Sequence, residues 1–194
     1  MNAKTQKGGV AWTIIRQSFF FLVIASAISS IGGFGLEGIK ANLFAIVPLI
    51  VIVPALADFV GDFATVITAH FSTMFYTGKK LNLRNWRHDP EVMDLLVNVF
   101  KVSMICAVYI GALASLVVYK EKIAENAATA LKVMLVSVTV SLVLISAVIG
   151  MAGIGSYYVH SLGWDPDNTI IPLTTAVADL SSLLLLAAMV KALF

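Results

Sequence analysis

Five stretches of this chain are each apolar for about twenty residues or more, the length needed to cross a lipid bilayer as a helix. They run from about Ala11 to Ile31, Ala41 to Thr77, Leu95 to Tyr119, Ala127 to Val159 and Asp167 to Phe194. Hydrophobic residues make up 59% of the chain and charged residues 12%, against roughly 25% charged in soluble domains. The mean hydropathy is +0.94. These values specify an integral membrane protein. No stretch alternates with period two over a strand's length, so the spans are expected to be helices and the fold class all-α. With 194 residues, a single transmembrane domain is expected, with no soluble regulatory domain beside it.

Composition also excludes several functions. A net charge of +2, spread over the loops, gives nucleic acid nothing to bind. The one cysteine, Cys106, cannot form an intramolecular disulfide. The N-terminal MNAKTQKGGVAW is not followed by a small-residue cleavage site, so the first span is expected to be retained and to end at the breaker-rich GGFGLEG.

The stretch 41–77 is long enough for one projecting helix or for two spans broken near Asp58 to Gly61. The distribution of basic residues chooses between them. As one span it places Lys4, Lys7 and the cluster Lys79, Lys80, Arg84 and Arg87 on one side, with Lys40, Lys120 and Lys122 on the other. One long helix is therefore expected, giving five spans in a cell membrane with the N-terminus cytoplasmic and the C-terminus outside.

Inside that second span lie Asp58 and Asp62. An aspartate at mid-membrane costs ~2.5–3.5 kcal/mol on insertion scales, so it persists only in a bundle interior or a wet cavity. At 100° per residue, Asp58, Gly61, Asp62, Thr65, Ala69 and Ser72 share a narrow polar stripe. Phe59, Phe63, Ile67, Phe71, Met74 and Phe75 occupy the opposite arc, which is expected to face lipid. His70 lies at the edge of the stripe and reads as an interfacial or packing residue. The last span repeats the pattern, with Asn168, Pro172, Thr175, Asp179 and Ser182 on one face. Pro172 frees the carbonyl of Asn168, and Pro54 frees that of Ile50. Carboxylates, hydroxyls and free carbonyls, with no Lys or Arg beside them, form the oxygen-rich lining that hard divalent cations prefer. GMAGIG (Gly150 to Gly155) reads as close helix packing, and Met104, Met134 and Met151 as core.

Two of these stretches resemble a known family. PALADFVGDFATVITAHFSTMFYTGK is similar to the P-x-L-x-x-x-x-G-N…A-S-R-L-S-T-x…G signature of MgtE-type divalent cation transporters, and closest to their animal relatives, the solute-carrier magnesium transporters. DPDNTIIPLTTAVADLSSLLLLA is similar to the D-P-D-x-x-x-x-P-x-x-x-x-x-x-D pattern of the family's last helix. The resemblance implies a five-span domain that forms a homodimer in the lipid bilayer, with the ion path between the halves. It implies that Asp179 binds the cation, most simply Mg²⁺, that Gly61 and Asp62 line the path with Asp58 one turn away, and that Thr175 adds a backbone oxygen; Asn168, on the same polar face, is a further candidate ligand. The chain departs from the pattern at Asp62, where the family has Asn, and at His70, where it has Arg. A half-transporter that needs a sister subunit is the alternative organisation. An intramembrane aspartyl protease using Asp62 and Asp179 is disfavoured, because Phe59 stands where its G-x-G-D signature needs glycine. The chain reads as a transporter and not an enzyme.

Overall fold

The computed structural model describes residues 3–38, 40, 47–78, 88–120 and 127–193. All regular structure among them is helical. α1 spans Ala3–Glu37, α2 Val47–Tyr76, α3 Pro90–Lys120, α4 Ala127–Ser161 and α5 Pro166–Leu193. Each of the five contains a segment long and apolar enough to cross a membrane. The second apolar stretch is one helix through Asp58 to Gly61, with Pro54 inside it. The basic cluster Lys79 to Arg87 lies outside the described residues.

Two helices start with the same device. Asp89 precedes Pro90, and its carboxylate accepts from the backbone N–H of Glu91 at 3.0 Å. Asp165 precedes Pro166 and accepts from Asp167 N–H at 3.0 Å. Aspartate satisfies the orphan donors of the first turn, and proline has no N–H to leave unsatisfied. At the end of α4, Gly163 adopts φ 75°. There Trp164 N–H donates to Val159 O (3.1 Å) and Gly163 N–H to His160 O (2.9 Å). This is the double bond of a left-handed helix stop, so α4 reverses into α5 within four residues, Leu162 to Asp165.

α2, α4 and α5 pack on one another in the middle of the bundle, α3 lies against α4 and α2, and α1 lies along α5. Small residues sit where helices approach closely, as expected where packing must replace a hydrophobic drive between helices. A Cβ on Gly111 would meet Met134 Cα at 3.2 Å and Ser137 Cβ at 3.3 Å. Ser137 donates across the same crossing to Ala107 O at 2.9 Å. Gly155, from the glycine-rich stretch of α4, faces Ile170 in the same way, whereas Gly150 has nothing within 4 Å.

Three expectations need correction. The first helix ends within GGFGLEG, but at Glu37 before Gly38 and not at Gly32 after Ile31. Gly32 packs instead against Leu180 and Leu183 of α5. The arc of α2 assigned to lipid faces the bundle: Ile67, Phe71, Met74 and Phe75 are buried, and Phe59 and Phe63 pack against the same core. A helix with neighbours on three sides spends its apolar arc on them, and of the polar stripe Asp58, Asp62 and Thr65 are left facing outward while Gly61 and Ser72 are buried. Met104 is not core either, being exposed on α3.

Candidate ion path

The acids lie where α2 crosses α5. Gly61 is buried at this crossing. A Cβ there would come within 3.2 Å of Thr175 Cγ2 and 3.8 Å of Asp179 Oδ1. A side chain there would press on the Thr175 methyl, which would have to give way by a few tenths of an ångström. The Asp58 and Asp179 carboxylates are near enough to repel one another across the crossing. Asp179 is half-buried, whereas Asp58 and Asp62 are exposed on the outer surface of the bundle.

The hydroxyls around this point fall into two groups. Ser182 donates to Asp179 O at 2.7 Å, Thr65 to Gly61 O at 3.2 Å, and Thr174 to Ile170 O at 2.7 Å. These protons are committed to their own helices. Thr175 makes no hydrogen bond to the described residues, so its oxygen is available at the crossing. Pro172 lies inside α5 and leaves the Asn168 carbonyl without its helical donor.

Nearer the start of α5, the polar seam continues. The buried Ser72 hydroxyl has no partner at ordinary hydrogen-bond distance and faces the Asp167 carboxylate closely enough to interact with it. Tyr76 interacts in turn with Asp165. Sequence reasoning placed Ser72 on the stripe but left Asp165, Asp167 and Tyr76 out of the site. The signal was present, since two acids open the last span in the segment DPD.

Of the predicted residues, the fold brings Asp58, Gly61, Thr175 and Asp179 to one crossing, with Asp62 beside Gly61 on the outward face of α2. Asn168 is not among them. It lies eleven residues before Asp179, about 16 Å along the helix, and its side-chain amide donates to Asp165 Oδ2 at 3.4 Å. His70 points towards α3, with Nε2 3.9 Å from Glu91 Oε1. Within one chain, and among the described residues, no three carboxylate, imidazole or thiol groups converge as a metal site.

What this crossing can do chemically is attract a cation and offer it oxygen. Its carboxylates are paired with no base among the described residues, and the elements that carry them are helices packed against one another. No curated protein matches the chain. The family of MgtE divalent cation transporters matches it over residues 53–189, a range that holds Asp58, Gly61, Asp62, Thr175 and Asp179. A match over well over half of the sequence, carried by a five-helix membrane bundle with acids at its central crossing, shows that the chain belongs to the MgtE family of divalent cation transporters.

Proposed function

We propose that two copies of this chain pair across the outward face of α2 and α5, and that Mg²⁺ crosses the membrane along the seam between them. The observation that carries this reading is the exposure of Asp58 and Asp62 on a spanning helix. Left against lipid, each would cost ~2.5–3.5 kcal/mol on insertion scales. A second copy of the same face would cover both and bring two Asp179 carboxylates towards a common axis. A symmetric pair uses one patch twice, so a single sequence suffices for the whole path.

Mg²⁺ surrenders its water reluctantly. Paired Asp179 carboxylates would hold it largely hydrated, through its own waters, with Thr175 replacing part of the outer shell, while the Ile50 and Asn168 carbonyls would offer oxygen nearer the two ends of the path. Asp58 and Asp62 would add negative potential that concentrates divalent cations at the path. The distribution of basic residues supports a cytoplasmic N-terminus and an outside C-terminus, with the whole chain acting as one transmembrane unit.

The test is Mg²⁺ flux into proteoliposomes that contain only this chain. Wild-type protein should carry Mg²⁺ and run as a dimer, and Asp179→Ala should remain dimeric without flux. Wild-type flux in the variant would move the site away from Asp179. A well-folded chain that carries no ion alone, but does so with a second polypeptide, would replace the homodimer with a half-transporter and its sister subunit.

A further inference from the structure

Between α1 and the α4–α5 turn lies a groove of about 630 Å³. Two neighbouring rows of α1, each spaced by four residues, form its floor: Trp12, Arg16 and Phe20, then Thr13, Gln17 and Phe21. Trp164 forms the wall, edge-on to Phe21 with ring centroids 5.9 Å apart. Because Trp164 sits in the turn between α4 and α5, the groove lies at the end of the bundle, at the depth of lipid headgroups.

Its polar groups are specific in kind. Arg16 lies inside the apolar segment of α1, is exposed, and has no carboxylate within 4.0 Å among the described residues. The Gln17 side-chain oxygen is shut off from solvent and accepts no hydrogen bond. Thr13 spends its hydroxyl proton on Gly9 O at 2.9 Å. Among the described residues, no acid lines the groove. Trp12 and Phe20 are exposed by 66% and 61%, and aromatic rings in such places belong at the membrane interface.

We infer that this groove holds an anionic, glycerol-headed phospholipid. The guanidinium of Arg16 offers the forked donors that fit a phosphodiester. A headgroup hydroxyl supplies the donor that the Gln17 oxygen lacks once its amide turns into the groove, and an acyl chain lies along Phe20, Phe21 and Trp164. Charge complementarity selects the lipid class. A choline or ethanolamine headgroup brings a cation, and the lining offers it no carboxylate, whereas a glycerol headgroup leaves the phosphate charge to Arg16.

Native mass spectrometry of the purified full chain, incubated with phosphatidylglycerol or with phosphatidylcholine of matched acyl chains, tests this. Phosphatidylglycerol should be retained in preference. Arg16→Gln should retain about fivefold less, the change expected for one basic residue at an anionic surface. Lys40→Gln, which removes an exposed basic residue at the other end of α1, should retain as much as wild type. Gln17→Leu removes the acceptor without touching the charge and should also cost about fivefold. It decides the matter if Arg16→Gln does not fold. Equal retention of the two lipids, or unchanged phosphatidylglycerol in the folded variants, would overturn the assignment. Displacement of the lipid by millimolar inorganic phosphate would make this an anion site and overturn it as well. Loss of dimer instead of loss of lipid would give the groove to a second copy of the chain.

Discussion

A methyl group on Gly61 would stand 3.2 Å from the Thr175 methyl, Cγ2, and 3.8 Å from an Asp179 carboxylate oxygen. An added methyl there would push on Thr175 and stand beside the Asp179 carboxylate, so it would shift the groups on the proposed path by a few tenths of an ångström.

Gly61→Ala should therefore separate stability from transport. Alanine gains about 1 kcal/mol over glycine in a helix interior, and crowding of the stiff Thr175 side chain offsets it. Melting temperature should change little while Mg²⁺ flux falls. Thr175→Ser removes the obstructing methyl and keeps the hydroxyl. The double variant should recover flux, and the coupling is read from a double-mutant cycle.

Asp179→Ala should abolish binding of divalent cations and leave the fold intact. Wild-type protein at Mg²⁺ about 100-fold above its Kd should gain about 2.7 kcal/mol of stability, and the variant none. Thermal melts with and without Mg²⁺, run beside flux assays, measure both. Retention of the Mg²⁺ shift would place the bound ion elsewhere.

Asp62→Asn should keep a working path with altered dependence on pH or Na⁺, since the side chain keeps its size and its oxygen and loses only charge. Flux measured across imposed pH and Na⁺ gradients is the readout. An unchanged ion and pH dependence would remove Asp62 from the path.

Covering of the acid face by a second copy has a direct chemical test. In a Cys106→Ser background, Asp62→Cys should cross-link between chains in native membranes, because it lies on the proposed seam. Met104→Cys, exposed on α3, should not. The opposite pattern would move the dimer contact to α3.

Orientation can be read in the same background. Thr77 and Lys40 are both exposed, at opposite ends of the bundle. A membrane-impermeant maleimide should label Lys40→Cys in intact cells and Thr77→Cys only after permeabilisation. Labelling of Thr77→Cys in intact cells would invert the proposed topology.

The helices and their polar stripes were legible because length, apolar content and 3.6-residue periodicity are local properties. Which arc of α2 faces the core was not. Lipid and protein interior are equally apolar, so Ile67, Phe71 and Met74 carry no mark that separates one from the other. The outcome depended on α2 lying among α3, α4 and α5, a fact of tertiary packing. Gly32 misled for a related reason, since a glycine that weakens a helix in isolation also permits contact with Leu180 and Leu183. Asn168 shares a face with Asp179, and periodicity identifies a face without measuring distance along it. Asp165 read as part of a motif, and its work as the cap of α5 became visible only with the backbone in place.

The placement of α1 has a mechanical side. It lies along α5, whose other neighbours are α2 and α4, and α5 carries Asp179 in its middle. A load applied to α1 from the bilayer or from any structure joined to it can pass to the acid-bearing helix directly, without travelling through α2, α3 or α4. The first helix is thus a handle on the last one, attached to it at Gly32 and to the turn that leads into it at the Phe21–Trp164 contact.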